Sequence, residues 1–289
     1  MQEVYSSRKP ARPTIIMLSN TPIESQPIAR VVRQLFCHPV KGLTPNAIPQ
    51  AELRLDWGMQ GDRMFALMFD DLDYQPVSNL PWLPKRYFAV QNDWPDLARV
   101  QCHYDATQMT LRVDFNGQSV LNAQVDRDRA AIGAWFTQFL QTCQPSIGAR
   151  HPQHANLTFV GDPSGSTGFR DRRAGQISLI GSATLDLLAA QLNAPIDPRR
   201  FRPNVILETV EPWEEFGWIG RRLRIGNVEL EVIDRIERCL NIEVCPDSGQ
   251  RDLPLLAQLK RGFRHTDTGI IARVTQAGML SIHQPYDII

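Results

Sequence analysis

The sequence carries no charge of either sign in excess: 31 lysines and arginines stand against 31 aspartates and glutamates in 289 residues. Overall electrostatics therefore give no hold on nucleic acid, although a local basic pocket balanced by acids elsewhere stays open. Cysteine is scarce, with five at 37, 102, 143, 239 and 245 and no CxxC pair. An odd, scattered set excludes a disulfide scaffold, fits no familiar iron–sulfur spacing and points to a reducing compartment. Long apolar runs are missing too. Ile15 to Leu18 is too short for the core of a secretory leader, and no stretch approaches the roughly 18 apolar residues of a membrane helix. There is no GxSxG elbow, no P-loop and no GxGxxG turn. These absences predict a soluble, cytoplasmic protein with neither a nucleic-acid partner nor a membrane span. Apolar residues make up 43 %, enough for a core, and charged residues 21 %, which argues against wholesale disorder.

Along the chain, residues 1–28 are rich in Ser, Pro, Thr and Arg without periodicity and read as a flexible extension. Strand-like runs follow at 29–36, 63–70, 86–91, 97–103, 108–115 and 118–124, with Gly58, Gly61 and Asn116-Gly117 as turns. Short strands with little helix between them suggest a barrel or sandwich. Ile132, Trp135, Phe136, Phe139 and Leu140 form one stripe of a helix over 128–142, capped by Asp126 or Asp128 and ended by Pro145. A polar segment over 145–175 reads as a long loop and marks a domain boundary, dividing 29–145 from 146–289. Beyond it, strands are expected at 176–180, 203–209, 221–233, 235–244, 269–275 and 279–283. Helices are expected near 185–192, with Ser182 as its cap, and at 252–262.

Four clusters could carry chemistry: Pro39-Val40-Lys41-Gly42; Gly58-Met59-Gln60-Gly61-Asp62-Arg63; Arg199-Arg200-Phe201-Arg202-Pro203-Asn204; and Arg238-Cys239. Each also has an ordinary explanation. Lys41 alone fits a solvated loop, and Asp62-Arg63 a surface ion pair. Arg200 and Arg202 would share one face of an extended chain, and their repulsion calls for an acidic partner or an anionic ligand. Cys239, among Ile236, Leu240 and Ile242, fits a buried small hydrophobe. Alternation along a strand would turn it away from Arg238, whose charge favours a thiolate only across shared space. Cys239, Cys245 and His265 match no usual zinc spacing.

Taken in order, the clusters resemble the MOSC family, the molybdenum-cofactor sulfurase C-terminal domain preceded by its N-terminal β-barrel domain. The likeness runs over 29–289. His38-Pro39-Val40-Lys41-Gly42 is similar to the family's Tyr-Pro-Val-Lys-Ser, and Gly58 to Arg63 to its Gly-Leu-x-Gly-Asp-Arg. Ile177-Ser178-Leu179-Ile180 and Ser182 resemble its serine-bearing strand and helix start, and Arg200 to Asn204 its Arg-Phe-Arg-Pro-Asn. Arg238-Cys239 followed by Pro246-Asp247-Ser248-Gly249 resembles Arg-Cys…Asp-Pro-x-Thr-Gly.

The resemblance implies a mixed, mainly β fold: a β-barrel MOSC domain, a smaller N-terminal barrel-like domain and a few helices. It implies the molybdenum cofactor (Mo-molybdopterin) with Cys239 as catalytic residue and metal ligand. Lys41 and Arg63 would approach the cofactor phosphate; Arg202, Asn204, Ser178 and Ser182 would hold the pterin and the oxygens near the metal; Arg200 and Arg238 would line or brace the pocket. A thiolate suits a thiophilic metal, and guanidinium forks suit phosphate. At family level alone it also brings pyridoxal phosphate binding.

Six positions depart from the family pattern: Gly42 replaces a serine, Asn92 an arginine, Ile242 a threonine, Cys245 an aspartate, and His283-Gln284 a closing Gly-Asp. Three functions follow as expectations. The first is a small molybdoenzyme reducing N-hydroxylated compounds or N- or S-oxides, a small-molecule substrate class, with electrons from a separate ferredoxin-like or flavoprotein partner. The second is a cofactor or sulfur carrier using a Cys239 persulfide. The third is a cofactor-free structural or binding barrel.

Overall fold

The computed structural model describes residues 29–55, 57–72, 83–164, 168–172 and 175–289. The expectation of a flexible extension over 1–28 lies outside the described residues.

Period-two patterning builds most of the molecule. The elements run β1 (Val32–Cys37), β2 (Asn46–Ile48), β3 (Gln50–Arg54), β4 (Gly58–Met59), β5 (Phe65–Phe69), β6 (Val100–Asp105), β7 (Thr110–Phe115), β8 (Gln118–Gln124), α1 (Arg129–Gln141), β9 (Leu157–Gly161), β10 (Ile177–Gly181), α2 (Ser182–Leu192), β11 (Val205–Leu207), β12 (Arg222–Ile225), β13 (Val228–Glu237), α3 (Leu255–Gln258), β14 (Asp267–Gln276), β15 (Gly278–Ser281) and β16 (Tyr286–Ile288). Among the described residues the fold is mainly β with three short α-helices.

One eight-stranded sheet runs β16-β12-β13-β14-β10-β11-β1-β2, antiparallel except for β10 beside β11. Smaller sheets are β15-β3-β4, β5-β9 and β6-β7-β8. Strand β1 thus lies in the large sheet beside β11, although the two are far apart in sequence. Two cores result. One gathers Leu43, Phe65, Trp94, Leu111 and Val113 with the buried face of α1, Ile132 and Phe136. The other gathers Leu35, Leu53, Leu179, Val205, Leu230 and Ile270. On the opposite face of the large sheet, α2 and α3 cover Phe36, Ile180, Phe201 and Ile206. Each fully buried leucine or phenylalanine contributes about 1.5–3 kcal/mol relative to exposure.

Several expected elements change. The run 86–91 follows Pro84 and forms a 3-10 turn at Lys85–Tyr87, leaving only an isolated bridge from Phe88 to Met68. The segment 145–175 holds strand β9, paired antiparallel with β5 from Phe65↔Gly161 to Phe69↔Leu157. Asp128 does not cap α1; its carboxylate turns back to the Gln124 amide at 2.8 Å. Helix α3 is four residues long and passes into a π turn at Leu259–Phe263. The strand expected over 235–244 ends at Glu237, where register shifts against β14 disrupt the ladder, and Leu240–Glu243 winds into a 3-10 turn.

Candidate functional site

Side-chain alternation aims the first two residues. In β10, Ile177 and Leu179 enter the second core, so Ser178 faces the opposite side with Ile180. Asn204 precedes β11 and shares that side with Ile206. The two lock together. Asn204 Oδ1 accepts from the Ser178 amide at 3.1 Å and lies 3.0 Å from its hydroxyl, while the Asn204 amide donates to Ser178 Oγ at 3.0 Å. Their polar groups are therefore spent largely on each other and on the neighbouring backbone.

Between β10 and β11, Asp197 caps a 3-10 turn at Pro198–Phe201, and Arg202 ends it in a left-handed conformation. The chain is not extended there, so Arg200 and Arg202 part. Arg200, buried, donates to Asp252 at 2.8 Å and to the Glu243 carbonyl at 3.1 Å, an acidic intramolecular partner. Arg202 donates to the Leu43 carbonyl at 2.6 Å and meets Gln91 at 3.4 Å. Among the described residues it has no carboxylate within ion-pair range, and its buried Nη2 lacks an acceptor. Burial, with Arg63 nearby, pushes Arg202 down to about 10, still a cation at neutral pH.

The turn after β4 brings Arg63, again left-handed, against Asp62 and, at 3.3 Å, Asp171. Behind it lies a fully buried histidine. The His38 ring and backbone amide both meet Asp62, at 3.2 and 2.8 Å. Burial, then Arg63 and Arg202, push His38 down to about 3. Burial alone would raise the carboxyls of Asp62 and Asp171. Arg63 on the first, and Lys41 and Lys85 on the second, outweigh it and hold both below the usual carboxylate range. Lys41 is 1 % exposed and donates to Asp171 at 2.9 Å and to the carbonyls of Phe169 and Arg170. Burial brings it down to about 8, against the pull of Asp171. Gly42 beside it stands at φ +82, and a Cβ there would lie 2.8 Å from the Ala89 carbonyl. The left-handed turn leaves no room for a serine.

Because β13 stops at Glu237, Arg238 and Cys239 escape the pleat that would have set them on opposite faces, and both reach one space. Arg238 lines the cavity and donates to the carbonyls of Thr268 and of Phe201, the latter at 2.7 Å. Gly269 makes this possible: a Cβ there would lie 2.4 Å from Leu179 O and 3.3 Å from the Arg238 guanidinium. Burial lowers Arg238 to about 9, with the Cys239 sulfur the largest opposing influence. Cys239 is exposed, whereas Cys37, Cys102 and Cys143 are buried. It is not the buried small hydrophobe its apolar neighbours suggested.

A cavity of about 420 Å³ joins these parts. Cys239, Arg238, Arg202, Arg200, Asn204, Ser178 and Arg63 all line it. So do Asp62, Asn92 and Ile242, which the motifs had named without giving them a role, and Lys85, Asp171, Arg172 and Asn241, which motif order did not single out. The lining holds seven cationic side chains against three carboxylates, in a chain without net charge. Lys41 is not among the lining residues and meets the cavity wall through Asp171 and the Arg170 carbonyl. Ser182 is elsewhere and is no helix cap: its hydroxyl bonds Glu208 at 3.1 Å and accepts from the Thr209 amide. Among the described residues no three His, Cys, Asp or Glu side chains form a metal-binding group, and no helix is long and apolar enough to cross a membrane.

Comparison with known proteins agrees with the order of these segments. A family model described as the MOSC domain matches residues 163–286, and one described as the MOSC N-terminal beta barrel domain matches 29–143. Molybdenum cofactor sulfurase of Caenorhabditis elegans is 25 % identical over 268 residues, covering 88 % of this chain and 35 % of that protein. Mitochondrial amidoxime-reducing component 1 of Danio rerio is 25 % identical over 281 residues, covering 88 % of this chain and 83 % of that protein. The mouse protein of the same name is 22 % identical over 253 residues, covering 82 % and 72 %. The chain thus spans about a third of the length of the nematode sulfurase and most of the length of the amidoxime-reducing components.

Proposed function

This chain belongs to the MOSC family, with the N-terminal beta barrel domain ahead of the MOSC domain, and from that premise we propose that it binds the molybdenum cofactor and reduces N-hydroxylated compounds or N- or S-oxides. The observation that carries this is the meeting of one exposed thiol, Cys239, with Arg63, Arg202 and Arg238 in a single cavity. The cavity volume lies within the range of small-molecule and cofactor sites. The donor set fits the group: one soft sulfur for the metal, and buried guanidinium atoms without acceptors, Arg202 Nη2 and Arg200 Nε, for an anionic ligand. Bound there, the cofactor supplies two-electron oxygen-atom chemistry.

The chain's own residues do the rest. Cys239 would hold the metal through its sulfur, with Arg238 and Arg202 lining the same cavity. Arg202 and Arg63 neutralise the anionic ligand. Ser178 and Asn204 fix the Arg202 backbone: the hydroxyl of Ser178 lies 3.3 Å from the Arg202 carbonyl. Val90, Ile236 and Ile242 supply apolar wall beside the cations. Conversion of an N-hydroxyl to N–H takes two electrons and two protons and releases water. The electrons come from a separate ferredoxin-like or flavoprotein partner, and the protons enter from solvent at the exposed Cys239 mouth. We place the protein in the cytoplasm, where its five free cysteines stay reduced.

The exposure of Cys239 also favours a second function, in which the thiol carries a persulfide or hands sulfur to another protein's metal centre. Dye-reduced protein incubated with an amidoxime separates them. Formation of the amidine supports the reductase; a transferable, cyanide-labile sulfur without amidine supports the carrier; neither, in protein empty of metal and pterin, leaves only a binding barrel.

A further inference from the structure

Three cations from separate segments converge on one carboxylate. Asp171 lies 2.9 Å from Lys41 Nζ, 3.3 Å from Arg63 Nε and 3.9 Å from Lys85 Nζ. Lys41 and Arg63 are buried, and Lys41 has no other carboxylate partner among the described residues. Two oxygens of a monoanion thus serve three positive groups, of which, among the described residues, Arg63 alone has a further acid, Asp62. A tetrahedral phosphate brings more oxygens and more charge to the same cations. Asp171 is also reachable. It lines the main cavity and an adjoining cleft formed with Pro84, Lys85, Arg86 and Arg150.

A phosphate on Lys41 and Arg63 is what the family resemblance already implies; we propose that Asp171 occupies that subsite as an internal stand-in for the oxyanion when ligand is absent, and that Lys85 joins the two as a third phosphate-binding cation. The exchange rests on the cavity being a cofactor site and adds two things to it: Lys85 as a third phosphate-binding cation, and a carboxylate that sets how tightly phosphate is held. Without ligand, the carboxylate keeps buried Lys41 paired, which matters because an unpaired buried charge is strongly destabilising. With ligand, it competes and repels, so phosphate binds more weakly than the cations alone would allow.

The exchange has a built-in reporter. Arg170 beside Asp171 donates to the Trp57 carbonyl at 3.1 Å, and the Trp57 indole packs against Gly168, 3.4 Å from where a Cβ would stand. The exchange at Asp171 is expected to reach this indole through its neighbour Arg170. The test is titration of inorganic phosphate into full-length protein made in a host unable to synthesise the cofactor, read by calorimetry and by tryptophan emission. Asp171→Asn is expected to bind phosphate about tenfold more tightly than wild type, since a nearby like charge is removed. Adding Lys85→Met is expected to cancel that gain. In wild type, phosphate is expected to shift an emission component that disappears in Trp57→Phe. Equal affinity in wild type and Asp171→Asn overturns the proposal. So does an unchanged affinity on adding Lys85→Met. Should Asp171→Asn not fold, the wild-type emission decides alone: no Trp57-dependent response to phosphate overturns it.

Protein from a cofactor-producing host distinguishes the phosphate's source. A cofactor phosphate in the site abolishes the response to added phosphate; a persistent response in loaded protein means the site takes free phosphate instead. Metal and pterin content tests the cofactor assignment separately. Empty protein with the exchange intact contradicts only that assignment, and loaded protein whose Asp171→Asn form gains no phosphate affinity contradicts only the exchange.

Discussion

Arg63 Nη2 lies 3.5 Å from the backbone carbonyl oxygen of Arg202, joining residues 139 positions apart, and both hold left-handed backbones at φ 53 and 52. For residues with a Cβ this conformation costs on the order of 1 kcal/mol each and persists only when surroundings enforce it. Here Asp62, Asp171 and the Leu43 carbonyl do so. The strain aims two guanidinium groups at one cavity.

Arg202→Ala should therefore strip the protein of its ligand, whereas Arg33→Ala should not. Arg33 is exposed on β1, 3.7 Å from Glu208. Pterin per mole of purified protein is expected to fall about tenfold or more in the first variant, the loss of a charge-assisted contact. In the second it stays at the wild-type level, with stability within about 0.5 kcal/mol. Equal retention in both would remove Arg202 from the site.

Restoring the family's serine at Gly42 should harm rather than help. At φ +82, with a Cβ 2.8 Å from the Ala89 carbonyl, Gly42→Ser is expected to lower stability by about 1–3 kcal/mol in urea unfolding. Pterin content should not rise. A neutral or stabilising result would mean that this turn can relax.

Short alternating runs made the mainly β fold legible, whereas only the family resemblance, and not the local pattern around Cys239, placed that residue with the arginines. What stayed hidden depended on long-range partners. Asp171 sits in a polar stretch without periodicity, and only the arrival of Lys41 and Arg63 makes it significant. Ser182 carries the expected residue type, yet Glu208 and the Thr209 amide claim its hydroxyl. Strand β9, Leu157-Thr-Phe-Val-Gly161, was obscured by prolines and glycines on either side and is fixed by pairing with β5. The end of β13 at Glu237 has no local signal, since apolar residues continue past it; register shifts against β14 decide it.

His38 gives the fold a pH dependence of its own. Its folded value, about 3, lies below the unfolded value of roughly 6.5, so between the two the unfolded chain binds the extra proton. Stability is then fully present above the unfolded value and is lost as pH falls toward the folded one. His38→Asn, which keeps a donor toward Asp62, is expected to flatten unfolding free energy between about pH 6.5 and 3, removing a loss on the order of a few kcal/mol. Parallel curves for wild type and variant would show that His38 charges without penalty.

The most direct measurement is molybdenum, by elemental analysis, in wild type and Cys239→Ala purified side by side from a cofactor-producing host. Metal near one equivalent in the wild type and near none in the variant is the predicted result. Metal retained undiminished by Cys239→Ala, or absent from both, would contradict the assignment of this thiol as the ligand.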